Sequence, residues 1–379
     1  MNVDPIEFTR PWMSDLEVRY AEESIRSGLL SGDRPFTKRV AERLRHDLGV
    51  RHILMTPSCT QALELATIAL GIGPGDEVIC PSFTFVSTAN AVVLRGARIV
   101  YCDIEPDTLN LDVGDAARRI TERTRAIIPV HYAGVACDMD RLVEVAAARE
   151  IAVIEDAAQG IGATYHGRPV GTHGLAAAFS FHETKNLTCG EGGALATNDD
   201  ALAAKMEIVR EKGTNRSAFL RGQVDKYTWV SEGSSYLPSD VQMAILLGQL
   251  ERAEEIAAPR RRVYEIYEER CRPLVGAGRV TTLRVPAGRT INHHIFWLLA
   301  PDEAARDAAL DGLRGSGLMA TFHYVPLHRS PFGSRFHEEA RPLPVTEDAA
   351  SRLLRLPLHS RMTEGDAHRV MDRFEEILP

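Results

Sequence analysis

Between residues 52 and 200, short apolar runs alternate with stretches of helical spacing, and this alternation restricts the fold more than any other feature. The runs are 52–55, 77–81 (EVICP), 98–102, 126–130, 152–155 and 176–181. Helical spacing fills several of the gaps, with Leu63, Ala66, Ile68 and Leu70 on one stretch and residues 139–149 on another. Runs this short and this apolar read as strands covered on both faces. Strands alternating with helices imply a parallel sheet with helices packed on both sides, an α/β fold. Open sheets of this kind gather ligands at the carboxyl ends of their strands, so the residues that follow each run matter most.

Three of those strand ends carry chemistry. The run 176–181 leads into FSFHETKNLTCGEGGA (179–194), where a single lysine, Lys185, stands between the strand and Gly190, Gly192 and Gly193. Desolvation lowers a lysine's pKa, and a neutral amine is what a Schiff-base nucleophile must be. A lone loop lysine is more often a solvated surface residue, so its company decides. In VIEDAAQGIG (153–162), Glu155 and Asp156 stand at the carboxyl end of the preceding run, about one strand upstream. A carboxylate there can keep a pyridinium nitrogen protonated while a lysine forms an imine with an aldehyde, which is how proteins tune pyridoxal phosphate as an electron sink. The third place is PSCTQALEL (57–65), a small polar turn opening a helix. Amide N–H groups at a helix start, with a threonine hydroxyl, suit a phosphate. An ordinary N-cap by Ser58 or Thr60 accounts for the same residues.

Five motifs in order, SCTQAL (58–63), PSFTF (81–85), EDAAQ (155–159), SFHETKN (180–186) and GEGG (190–193), give the chain its resemblance to the DegT/DnrJ/EryC1/StrS sugar aminotransferases. The resemblance covers nearly the whole chain. SCT in place of the commoner S-G-T, SFHETKN and KGTNR (212–216) are most similar to the dTDP-4-amino-4,6-dideoxy-sugar transaminases of that family. It implies the aspartate-aminotransferase fold type I: a large domain (1–250) on a mostly parallel seven-stranded sheet, and a small C-terminal α/β domain (251–379) on which the N-terminal segment packs. It implies pyridoxal 5′-phosphate as cofactor and Lys185 and Asp156 as the catalytic pair. Cys59, Thr60, Phe85, Gln159 and Ser180 complete the cofactor site, with Phe85 against the ring, Gln159 at the 3′-oxygen and Ser180 on the phosphate. The resemblance implies His328, Tyr324 and His294 as the substrate-side residues.

The implied reaction moves an amino group from L-glutamate to dTDP-4-keto-6-deoxy-D-glucose, giving a dTDP-4-amino-4,6-dideoxyhexose. The alternatives are amination at C3 or of another nucleotide sugar, and a non-catalytic cofactor-binding regulator. The resemblance also implies a homodimer with shared active sites, in which residues 213–237 reach the partner subunit. Many relatives carry Tyr-Asn-Leu there, whereas this chain has Tyr236-Leu237-Pro238. Ser234, Ser235 or Tyr236 replaces that asparagine at the phosphate, or the phosphate has one contact fewer.

Composition excludes other classes. The chain has 379 residues, 44% hydrophobic and 25% charged, with a net charge of −8 and no long basic run, which argues against a nucleic-acid surface. The acidic N-terminus is no signal peptide, and no apolar run approaches the ~20 residues that span a bilayer. Six scattered cysteines without C-x-x-C predict buried free thiols in a reducing cytoplasm. The C-terminal histidines have no converging carboxylates or thiolates, so no metal is expected. Helices over 239–267, a strand over 295–299, a helix over 302–314 and a strand over 320–324 form the predicted small domain, ahead of a helical C-terminus.

Overall fold

The structure is a computed structural model describing residues 4–338 and 340–378. Its centre is a seven-stranded sheet of β1 (His52–Thr56), β2 (Glu77–Pro81), β3 (Arg98–Cys102), β4 (Thr124–Ile127), β5 (Ala152–Asp156), β6 (Ala176–Ser180) and β7 (Gly193–Thr197), in spatial order β1-β7-β6-β5-β4-β2-β3. Strands β3, β2, β4, β5 and β6 pair in parallel. β7 lies antiparallel between β6 and β1, and it alone runs against the rest.

The strands are apolar on both faces because each face has its own core. Ile79, Val100, Ile127, Val153, Ala177 and Phe179 point into one core, and their neighbours Val78, Ile99, Ala126, Ile154, Ala176 and Ala178 point into the other. This is the two-residue period of an extended chain read against two helical layers. It also sends adjacent residues at a strand end in opposite directions, which matters at β5.

A second sheet holds β8 (Thr281–Thr282), β9 (Phe296–Leu299) and β10 (Leu353–Leu356), with β9 in the middle and antiparallel pairing throughout. Helices Ala253–Gly276, Glu303–Gly315 and Glu364–Ile377 cover it around a separate core, which Ile6 joins from the N-terminal segment. Helices Asp240–Glu251 and Ala253–Gly276 meet at a kink on Arg252. Thr164–Tyr165, Arg168–Pro169 and Arg289–Thr290 form a third small sheet that ties the two regions together.

One predicted strand is corrected. Residues 320–324 form no strand; only Thr321 bridges to Arg355. The third strand of the small sheet is β10, which follows helix Pro344–Arg352 with no glycine or proline between them. With no breaker in the sequence, its apolar residues read as a continuation of that helix. All six cysteines are buried and free. No helix among the described residues is long and apolar enough to cross a membrane.

Candidate active site

A cavity of about 460 Å³ lies where the carboxyl ends of β1, β5 and β6 meet the small sheet. Cys59, Thr60, Phe85, Asp156, Gln159, Ser180 and Lys185 line it from the large sheet's side, and His294 and Tyr324 from the other. Nine of the ten residues singled out from the sequence therefore converge on one cavity.

Asp156 ends β5 and is 5% exposed. Thr88 Oγ1 donates to its Oδ2 at 2.7 Å, and the Ala158 amide donates to Oδ1 at 3.2 Å. Thr88 in turn lies 2.9 Å from the Thr84 hydroxyl, one helical turn back. Burial pushes the Asp156 carboxyl above the usual carboxylate range, while the Thr88 and Ala158 bonds and the charges of Lys185 and His131 pull the other way. Its neighbour Glu155 faces the opposite side of the strand. There it accepts from the Gly171, His173 and Gly174 amides and lies 2.8 Å from His131 Nε2. Burial opposes charge on His131, yet its contacts with Cys137 and Glu155 hold its pKa up at about 10. The Glu155–His131 pair is thus internal scaffolding behind the cavity.

Lys185 sits in the turn after β6, its amide bonded to the His182 carbonyl at 2.9 Å. Its side chain is partly accessible, on the cavity side. Burial pushes the amine below its ordinary value; Cys59 and Asp156 pull it up, and Arg355 pushes it further down. Desolvation wins for both Lys185 and Asp156, so each is displaced toward its neutral form.

Helix Cys59–Ala69 starts at the cavity. Ser58 is its N-cap, accepting from the Gln61 amide at 3.2 Å, which leaves the Cys59 and Thr60 amides without a partner among the described residues. The Thr60 hydroxyl meets that of Ser87 at 2.7 Å. This close approach depends on Gly193, the first residue of β7. A Cβ there would lie 2.3 Å from the Ser58 carbonyl carbon and 2.5 Å from the Cys59 nitrogen. Phe85 is 60% exposed at the cavity wall. Gln159 accepts from the Ala133 amide at 2.7 Å and directs Nε2 toward the Tyr324 hydroxyl at 3.4 Å.

On the far side, His294 Nδ1 lies 2.8 Å from Asn186 Oδ1, and burial pushes its ring well below the ordinary histidine value. His328 is the exception among the expected residues. It lies outside the cavity, its Nδ1 2.7 Å from Ser82 Oγ and its Nε2 3.1 Å from Glu347 Oε1. Its side chain is fully enclosed and ties the two regions together through Ser82 and Glu347. Sequence reasoning passed over Thr88, Arg260 and Arg355, and preferred His328 to its near neighbour His323, which lines the cavity. Arg355 alone had a signal, a single cation inside the apolar run LLRLPL (353–358).

The residues present fit pyridoxal phosphate. Two helix-start amides and the Thr60 and Ser180 hydroxyls suit its phosphate, a buried carboxylate with no ion-pair partner among the described residues suits its ring nitrogen, and a desolvated lysine suits its aldehyde. No group of three or more histidine, cysteine or acidic side chains able to hold a metal occurs among the described residues.

GDP-perosamine synthase of Caulobacter vibrioides is 39% identical over 335 residues, 87% of this chain and 86% of that one. The structure of the aminotransferase TlmJ from Streptoalloteichus hindustanus superposes with a TM-score of 0.90 at 32% identity, covering 99% of both chains. DesI, solved in the presence of its TDP-sugar product, superposes at 0.87 with 31% identity, covering 99% of this chain and 93% of its own. The profile of the DegT/DnrJ/EryC1/StrS aminotransferase family matches residues 12–375, and with the cavity described above this chain belongs to that family of pyridoxal-phosphate-dependent sugar aminotransferases.

Proposed function

We propose that the chain transfers an amino group from L-glutamate to C4 of dTDP-4-keto-6-deoxy-D-glucose, yielding a dTDP-4-amino-4,6-dideoxyhexose. The observation that carries this reading is the enclosure of Lys185 and Asp156 in one cavity opposite Tyr324 and His294. The likeness to DesI, solved with a TDP-sugar product, supports the nucleotide. The higher identity to GDP-perosamine synthase supports a second reading, in which the sugar is GDP-linked.

Bound pyridoxal phosphate supplies an electron sink for the bonding pair released at the donor's α-carbon. Lys185 Nζ takes the proton from that carbon and, in the second half-reaction, delivers one to C4 of the sugar; its lowered pKa favours the neutral amine this requires. Asp156, ionised by the ring's positive charge, holds the nitrogen protonated, with Thr88 fixing its orientation. The Cys59 and Thr60 amides and the Thr60 and Ser180 hydroxyls would hold the phosphate, with Phe85 beside the ring and Gln159 Nε2 available to the 3′-oxygen. Tyr324 and His294 face the substrate.

Residues 1–250 and 251–379 act as separate domains in this reading, supported by the kink at Arg252 and by the second core. Exposed Leu220, Trp229 and Val230 support residues 213–237 as a homodimer contact. Six buried thiols support a cytoplasmic setting. The test is NMR of the product after incubation with L-glutamate and either the dTDP- or the GDP-linked 4-keto-6-deoxy sugar. A 4-amino product from the dTDP substrate is expected; amination of the GDP substrate alone selects the second reading, and a 3-amino product rejects both.

A further inference from the structure

The cavity holds a cation, Arg355, with no ion-pair partner among the described residues. Arg355 lies on the edge strand β10 and lines the same cavity as Lys185 and Asp156. Its Nη1 donates to His323 Nε2 at 3.2 Å, and His323 Nδ1 lies 3.0 Å from the Tyr132 hydroxyl. Its guanidinium carbon sits 4.6 Å over the ring of Phe8. The Nε atom is buried without a partner, and Nη2 has none among the described residues.

That open Nε–Nη2 edge is the one other arginines of this chain offer to carboxylates: Arg252 to Glu255, Arg270 to Glu375 and Arg352 to Asp348. Arg260, the other arginine at the cavity, spends the same edge on the carbonyls of His293 and His294. Buried Arg119 pairs with Asp115, and buried Arg210 with Asp33. Arg355 thus sits over Phe8 and is anchored at one nitrogen by His323, with the two donors of its other edge left open. A buried guanidinium without an anion is costly, and two parallel N–H groups match a carboxylate bidentately.

Which anion it awaits follows from where it stands. The helix start at Cys59 and Thr60, proposed above for the cofactor phosphate, belongs to the large sheet, whereas Arg355 projects from the small one. Its charge acts on Lys185, His294, His323 and Tyr324. An anion on Arg355 is therefore within electrostatic reach of Lys185 Nζ, where the donor's α-proton is removed, and an α-carboxylate is one bond from that carbon. We propose that the Nε–Nη2 edge of Arg355 binds the α-carboxylate of the amino donor, making Arg355 the residue that selects an α-amino acid over a simple amine. The proposal rests on the transamination reading above and not on the identity of the sugar.

The test compares Arg355→Met and Arg355→Lys holoenzymes with the parent in the donor half-reaction, without sugar, following formation of 2-oxoglutarate from L-glutamate. Calorimetric binding of glutarate, a carboxylate that cannot react, is measured alongside. In Arg355→Met, the half-saturating glutamate concentration and the glutarate Kd should both rise about 10- to 100-fold, the loss expected for hydrogen bonds to a charged group. Reaction with γ-aminobutyrate, which lacks an α-carboxylate, and the KM for the nucleotide sugar should stay within twofold of the parent. Arg355→Lys keeps the charge without the paired donors and should fall between; it carries the test should the methionine variant fail to fold. An unchanged glutamate dependence overturns the proposal. So does a defect confined to nucleotide-sugar KM, or loss of cofactor on dialysis with normal glutamate dependence, each of which assigns the anion to a phosphate. A wrong sugar leaves this half-reaction untouched. If the parent takes its amine from another amino acid, the same comparison made with that acid separates failure of the donor identity from failure of the Arg355 role.

Discussion

Replacing Thr88 by valine tests how the protein controls the charge on Asp156. The substitution keeps shape and removes one hydroxyl, which donates to a 5%-exposed carboxylate at 2.7 Å. A hydrogen bond to a charged group contributes about 1.5–3 kcal/mol, and about 1.4 kcal/mol corresponds to one pKa unit. The Asp156 titration should therefore move up by about one to two units. In the cofactor-free protein, burial already makes the folded state hold this proton at pH values where the unfolded chain has lost it. A raised carboxyl pKa contributes stability most fully below the unfolded value, near pH 4, and that contribution drains away as pH climbs through the folded titration. Thr88→Val raises the folded titration further. The gap in unfolding free energy between parent and variant should then be small near pH 4 and widen by about 1.5–3 kcal/mol at pH 8–9. Loss of the Thr84–Thr88 contact adds an offset of about 1 kcal/mol that does not depend on pH. Urea unfolding of both cofactor-stripped proteins across pH 4–9 reads the gap directly. A parent–variant difference that stays constant over that range refutes the coupling of Asp156 to Thr88.

Lys185→Ala should lower turnover by about 100- to 10,000-fold, the range expected for a positioned acid–base group, and should let the cofactor dialyse away; retained turnover would reject the mechanism. Gly193→Ala places a Cβ against the backbone of Ser58 and Cys59. Overpacking there should cost about 1–3 kcal/mol and weaken cofactor binding by displacing the helix start, so an unchanged cofactor Kd would show that this start does not hold the phosphate. His328→Gln should lower the urea midpoint, with a loss of about 1–3 kcal/mol from the buried Ser82 and Glu347 contacts, while nucleotide-sugar KM stays unchanged. The reverse pattern would return His328 to the substrate site.

The sequence alone determined six of the seven strands of the large sheet and which residues stand at their ends, because both are written at short range, whereas β7, the antiparallel strand, carried no such run. A strand buried on two faces must be apolar at every position, so β2 and β5 were legible as runs, and each functional residue near them is fixed by its distance from a strand end. Asp156 and Lys185 could be found because β5 and β6 end where they do. Tertiary structure alone decided what depends on partners far along the chain. β10 carries no local stop signal after its helix and becomes a strand by pairing with β9. His323 and His328 are five residues apart, yet one lines the cavity and the other bridges Ser82 and Glu347. Thr88 reaches Asp156 across 68 positions. Arg355 looks like any arginine until the fold encloses it at the cavity with Phe8 on its face and no carboxylate on its edge. Periodicity is a property of the local backbone and can be read from the chain, whereas burial and charge balance are properties of the assembled core and exist only once distant segments meet.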